Sequence, residues 1–409
     1  MNKKRILVVV IAILSIAIVG VTAFAGFLIL NHQGQQQATP TPPIVNGSNT
    51  PGTIPTFSGS PVATGMPYVR GSQIIDGSGH PFLLRGAQIE SPFNYIKNWE
   101  SGKRPSVMLN STVFNVMVHD WKMNILRLPI SNWIYAKDTT NYMSQLDQVV
   151  QEANTAGLYV VLDLHDNVKS GSPYGDTADM PKSENISFWQ AIATHYKTNP
   201  MVMFDLYNEP KATNWQTWLH GGSTVNGARI VGFQDLVDAI RSAGAKQIII
   251  VEPGSAGGGG GGVNGAEEGG WATVGSNTIN DPNVVYSLHV YDGILLSPQQ
   301  QDAKWGPILN HHPIFYGEWG LVTNGFGQSG ANHCKNIVPS QADQDVHTFL
   351  SYMASRNASW AAWQFAPHSL IQNYNSFTPT SLDIPWVCGD TTSGAGMGSM
   401  VKQFLTTGQ

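Results

Sequence analysis

A chain of 409 residues, 42% apolar and only 12% charged, carries enough hydrophobic material for a large buried core, and its composition excludes a disordered protein. Its formal net charge is -5, with Lys and Arg scattered along the length. That leaves no basic stripe to follow a nucleic-acid backbone, so no nucleic-acid partner is expected and a neutral substrate fits best.

The first element follows the basic cluster Lys3, Lys4 and Arg5: from Ile6 to Leu30 there is no charged residue. Such a run of about 25 residues is long enough to cross a hydrocarbon core of roughly 30 Å. Two outcomes stay open, an uncleaved membrane anchor with its basic end inside, and a signal peptide cut near Ala23-Phe24-Ala25. Either one exports the remainder, so an extracellular or cell-surface location is expected. Residues 31–65 are dominated by Gln, Pro, Thr, Gly and Ser and read as a linker. One folded domain is expected over 66–409. Its two cysteines, Cys334 and Cys388, are expected to pair as a disulfide in an oxidising compartment, free thiols being the alternative.

Within that domain, eight short apolar runs predict strands: Leu83 to Ile89, Asn124 to Pro129, Leu158 to Leu164, Val202 to Tyr207, Gln247 to Val251, Val284 to Val290, Ile314 to Tyr316 and Trp360 to Phe365. Most are continuous rather than alternating, as strands covered on both faces should be. Between them, Leu146, Val149, Val150 and Ala153 share one helical face, with Gly157 placed to end it. Ile230, Phe233, Val237 and Ile240 repeat the spacing ahead of Gly244, and Val346, Phe349, Leu350 and Met353 do so near the end. Eight β/α units predict an α/β fold of the closed (β/α)8 TIM-barrel type, and the lack of a Gly-x-Gly-x-x-Gly turn argues against a dinucleotide fold. Gly257 to Gly262 form an unbroken glycine run after the fifth strand; a mobile loop over a cleft and a tolerated insertion both fit it.

Barrels of this kind place their chemistry where strands end. The polar residues there are Glu90, Arg127, His165 with Asp166, Asn208 with Glu209, Glu252, His289 with Tyr291, and Glu318, with Trp363 beside them. Two carboxylates facing one another suit glycoside hydrolysis, in which one protonates the leaving oxygen and the other attacks from the opposite side of the sugar.

Asn208-Glu209-Pro210 after an apolar strand is joined in order by Leu126-Arg127-Leu128-Pro129, Leu164-His165-Asp166, His289-Val290-Tyr291, Gly317-Glu318 and Trp363. With this set the chain closely resembles glycoside hydrolase family 5 over roughly residues 66–370. The resemblance implies Glu209 as acid/base, Glu318 as nucleophile and Asn208 as a contact to the substrate 2-hydroxyl. It also implies Arg127 and Tyr291 as bonds to the nucleophile, His165 and His289 as the lining of the sugar site, and Trp363 as a flat face for a pyranose ring. Repulsion from an ionised Glu318 is expected to keep Glu209 protonated. No cofactor and no metal are implied.

The expected activity is a retaining endo-β-1,4-glucanase acting as a monomer on a polysaccharide or oligosaccharide. A β-mannanase and a non-catalytic surface glycan binder are the alternatives. Glu90, Asp166 and Glu252 are expected to hold loops or touch outer sugars. Trp99, Trp133, Trp215, Trp218, Trp271, Trp305, Trp319 and Trp386 are expected in loops or at loop edges, about half of them buried in the core and the rest free to stack on glycan.

Overall fold

A computed structural model describes residues 65–89, 93, 108–166, 180–210, 212, 214–222, 224, 225, 228–253, 271, 274–291, 294, 296–320, 341–367, 369–380 and 396–408. The N-terminal anchor or signal, the linker, the glycine run and the Cys334–Cys388 pairing lie outside these residues, as do Glu90, Trp99 and Trp386. No helix of the described residues is long and apolar enough to cross a membrane.

Two antiparallel strands, β1 (Gly65–Arg70) and β2 (Gln73–Gly77), form a hairpin. Eight parallel strands then close into a barrel: β3 (Arg85–Gln88), β4 (Ile125–Ser131), β5 (Tyr159–Asp166), β6 (Val202–Asp205), β9 (Ile249–Val251), β10 (Val284–Val290), β11 (Ile314–Trp319) and β12 (Ser359–Ala362). A small ribbon of β7 (Thr224–Val225) and β8 (Ala228–Arg229) interrupts the β6 to β9 connection. All eight predicted strands are present, and the closed ring is the predicted (β/α)8 barrel.

The helices form for the reasons their sequences give. The helix Thr139–Ala156 starts at Asp138, whose side chain accepts the Asn141 N–H, and ends at Gly157 with φ 106°, where a side chain would be strained. Its buried stripe of Leu146, Val149, Val150 and Ala153 packs on the barrel. The helix Phe233–Ser242 begins three residues later than its apolar spacing suggested, because Ile230 bridges to Lys182 and Asp235 caps the Gly232 N–H. Val346, Phe349, Leu350 and Met353 line the buried face of the helix Ala342–Ser355. The hairpin and a C-terminal helix, Met397–Thr407, were not anticipated.

Inside the ring, one apolar cluster draws Ile125, Val161, Met203, Ile250, Val285, Phe315 and Ala361 from seven strands, together with Leu84 and with Ile74 of the hairpin. These residues make the barrel floor. Counting two residues onward from the floor, towards each strand's C-terminal end, gives Arg127, Asp163, Asp205, Glu252, Ser287, Gly317 and Trp363, because successive side chains of a strand alternate between faces. The second layer is therefore polar, and it is the foundation of the site.

Candidate active site

Arg127 sits at the centre of that layer, fully buried. Its Nε donates to Asp205 at 3.0 Å, its Nη1 to Glu318 Oε1 at 2.7 Å, and its Nη2 to Asn208 Oδ1 at 3.1 Å and Glu252 Oε1 at 3.0 Å. Asp163 Oδ1 lies 3.1 Å from Nη2, and Gln88 accepts a further bond from Nη1. Burial alone would lower the guanidinium's hold on its proton, but the surrounding carboxylates reverse this and keep Arg127 well above its ordinary range.

Glu318 is aimed by an irregularity. Leu288 pairs with Tyr316 and His289 with Glu318, so Gly317 is an extra residue in β11, a bulge that turns the next side chain inward. A Cβ on Gly317 would stand 2.6 Å from Ser287 Oγ and 3.2 Å from His289 Nε2, so this position has no room for one. Both Glu318 oxygens are then bonded, Oε1 by Arg127 and Oε2 by the Tyr291 hydroxyl at 2.6 Å.

Glu209 follows β6 in the left-handed region, φ 45°, and its N–H donates to Glu252 Oε2 at 2.6 Å. Its side chain is 28% exposed, whereas those of Asp163, Asp205 and Glu252 are fully buried and that of Glu318 is 5% exposed. Of these carboxyls it alone opens appreciably to the cleft. His289 Nδ1 is bonded to Glu209 Oε1 at 3.0 Å and lies 3.6 Å from Glu318 Oε2, so one ring nitrogen sits between the two acids. Ligand atoms of Glu209, His289 and Glu318 all fall within 4.8 Å of one another.

The expected protonation of Glu209 is not what its surroundings favour in the free site. Burial raises its pKa, but the His289 hydrogen bond and positive charge outweigh burial and hold the carboxyl below the usual glutamate range. Burial by itself would lower His289, yet the charges of Glu252 and Glu318 lift it well above the usual imidazole range. Both shifts favour a proton on the ring over one on the carboxyl. His165 is likewise lifted, against burial, by Asp163 at 2.7 Å from its Nδ1 and by Glu318. Asp205 is pushed well above the carboxylate range by burial, with Glu252 and Asp163 adding to the effect and Arg127 opposing it.

Arg127, His165, Asn208, Glu209, His289, Tyr291, Glu318 and Trp363 are thus gathered at one end of the barrel, and the Trp363 ring stacks on His165 at 6.1 Å and 21°. Glu252 is completely buried, so it meets no outer sugar; its carboxylate joins the network and holds the backbone N–H of Glu209 after β6. The Asp166 side chain lies outside the described residues. Asp163, Asp205 and Gln88 were missed, although the two-residue step from the floor marks the first two. Of the tryptophans expected in loops, Trp218 and Trp305 lie on helices and Trp319 in β11, and these three and Trp271 are core. Trp215, stacked on Trp271 at 5.5 Å, and Trp133, with Lys137 Nζ 4.2 Å from its ring centre, are partly exposed.

Among the described residues, two clusters have donor sets that could hold a cation. Asp163, Asp205 and Glu252 converge, but the Arg127 guanidinium already occupies their shared space. Glu209, His289 and Glu318 form the other, and their lone pairs are engaged by one another, by Arg127 and by Tyr291.

The chain matches the family model of cellulase (glycosyl hydrolase family 5) over residues 75–369. It is 25% identical over 328 residues to Endoglucanase E-5 of Thermobifida fusca, covering 78% of this chain and 59% of that protein. It is 24% identical to Endoglucanase Z of Dickeya dadantii, covering 70% and 56%. The chain thus spans somewhat over half the length of these relatives. A β-glucanase from Saccharophagus degradans, solved with cellotetraose, shares the fold with a TM-score of 0.61 at 21% identity, over 84% of this chain and 93% of that one. The catalytic domain of Thermobifida fusca endoglucanase Cel5A, also with cellotetraose, gives 0.55 at 20%, over 84% and 98%. With that match extending across most of its length, the chain belongs to glycosyl hydrolase family 5, the cellulase family.

Proposed function

We propose that the chain is a retaining endo-β-1,4-glucanase, with Glu318 as nucleophile and Glu209 as acid/base. The observation that carries this reading is the close approach of Glu209 and Glu318 across His289, within 4.8 Å. Retaining enzymes hold their carboxyls about 5 to 5.5 Å apart, whereas inverting ones need roughly 6.5 to 9.5 Å to admit a water. In the first step Glu318 attacks the anomeric carbon while Glu209 protonates the departing glycosidic oxygen. The Glu209 proton comes from His289 Nδ1, 3.0 Å away, as the leaving oxygen gains basicity. Forming the ester consumes the Glu318 charge, and with it one of the anions that raise His289. Glu209 then takes a proton from water, which attacks the ester and restores the original anomeric configuration. Asn208, its Oδ1 held by Arg127, is left with its amide N–H groups for a sugar hydroxyl.

The glucan assignment is supported by relatives named endoglucanases and by neighbours solved with cellotetraose. Export is part of the same proposal, supported by the uncharged run from Ile6 to Leu30. The test is incubation of the full chain with carboxymethylcellulose, lichenan, mannan and xylan, followed by NMR of the product anomer and sizing of the products. Mixed short oligosaccharides from glucan, released as the β-anomer, are expected. Activity on mannan alone would overturn the substrate, α-anomer products would overturn the mechanism, and binding without hydrolysis would leave a glycan-binding protein.

A further inference from the structure

We infer that Glu252 is a positioning residue, whose one carboxylate sets the Glu209 backbone, the His289 ring and the Arg127 guanidinium in a single arrangement. The inference rests on the assignment of Glu209 as acid/base. Glu252 lies two residues beyond Ile250 of the floor, just past β9, and is fully buried, so it cannot meet a glycan. Its own backbone is fixed by Trp218, whose Nε1 donates to the Glu252 carbonyl at 2.8 Å. Oε2 accepts the Glu209 N–H at 2.6 Å, and Oε1 lies 3.0 Å from Arg127 Nη2 and 2.9 Å from His289 Nε2.

Asp163 and Asp205 also flank Arg127, but Glu252 reaches both the proposed acid and the ring bonded to that acid. The Glu209 N–H bond also matters for shape. A glutamate at φ 45° is in a region that side chains resist, and a charge-assisted bond to its N–H offsets that resistance. Facing His289 are Glu209 after β6, Glu252 after β9 and Glu318 on β11, with the Tyr291 hydroxyl bonded to the same Glu318 oxygen, Oε2, that faces the ring. Arg127, His165, Asp163 and Asp205 complete the charged surroundings. Glu252 is therefore one of three anions on the ring, and the one of them that also grips the backbone of a second.

Glu252→Gln keeps the volume and removes the charge; Glu252→Asp keeps the charge and shortens the reach. Both are compared with wild type and Glu209→Gln on two aryl β-cellobiosides. Phenyl requires protonation as it leaves, whereas 2,4-dinitrophenyl does not. Glu252→Gln is expected to lower kcat/KM for the phenyl substrate by about 10²-fold and for the dinitrophenyl substrate by less than about 10-fold. Its alkaline limb in kcat/KM against pH is expected about one unit lower, since a positive proton site that loses an anionic neighbour binds its proton less tightly. Equal losses on both substrates, or a wild-type limb in a folded variant, would overturn the inference. Should Glu252→Gln fail to fold, Glu252→Asp decides: the leaving-group split should persist with the limb in place, and equal losses would again overturn it. A wild type inactive on both substrates, or Glu209→Gln without the split, refutes the acid/base assignment instead.

Discussion

The two halves of the barrel interior are built from the same strands yet obey opposite chemistry. The floor is apolar throughout, Ile125, Val161, Met203, Ile250, Val285, Phe315 and Ala361, and the hairpin adds Ile74 to it. One layer up, the same strands present Arg127, Asp163, Asp205 and Glu252, with His289 a further step along β10, all fully buried. Floor residues gain about 1.5 to 3 kcal/mol each by leaving water. Charges in the layer above lose solvation by the same move and persist only because each is paired. The floor thus supplies stability from which the layer above draws its tightly fixed charges.

Removing a proposed reacting group tests the upper layer most severely. Glu318→Gln should lower kcat on glucan by on the order of 10⁴-fold or more, with the far-UV circular dichroism of wild type. Retained turnover would remove Glu318 from the chemistry. Arg127→Met should cost about 3 to 5 kcal/mol in a urea titration and abolish turnover as well, since it strands several buried carboxylates. Met203→Ala, on the floor, should cost a comparable 2 to 5 kcal/mol through a cavity but leave kcat within about threefold when assayed well below its unfolding midpoint. Equal loss of activity in the two would erase the distinction between the halves.

A smaller effect is expected at the bulge. Gly317→Ala should lower kcat by about 10- to 100-fold by pressing on Ser287 and His289, and adding Ser287→Ala should recover part of it. Independent losses in the double variant would mean that the contact is not the cause. The mildest test is pH. Asp205 has a folded pKa well above its unfolded one, so its contribution to stability is present below about pH 4 and lost as pH rises through the folded value. Asp205→Asn should therefore flatten the fall of the thermal midpoint on the alkaline side, and an unchanged slope would show that Asp205 does not hold the proton.

Much of this was legible because strands buried on both faces leave continuous apolar runs, and all eight were found. The site residues at strand ends were equally plain, since a polar side chain closing an apolar run has few other reasons to be there. Asp163 and Asp205 escaped notice because they lie inside the runs, where a charge reads as noise until the floor is known and the two-residue step is counted. The role of Glu252 was hidden for a different reason: its partners come from β4, β6 and β10, and no local pattern records contacts made across the ring. The hairpin was missed because strands so short carry too little periodicity to be recognised. His289 holding the proton of Glu209 depends on three anions arriving from different strands, and only the assembled ring fixes that balance.

The Gly317 bulge has a consequence for how the chain finds its native pairing. A slip of one residue along β11 would turn Trp319 inward, away from Phe349 and Trp360, and would drive the Glu318 carboxylate outward among them. An unpaired charge in such surroundings costs several kcal/mol, so the misaligned sheet is rejected by the same side chain that is needed for hydrolysis. In this strand the reactive acid doubles as a proofreader of alignment, and a chain that closes its barrel wrongly is penalised at the residue where an error would be most damaging.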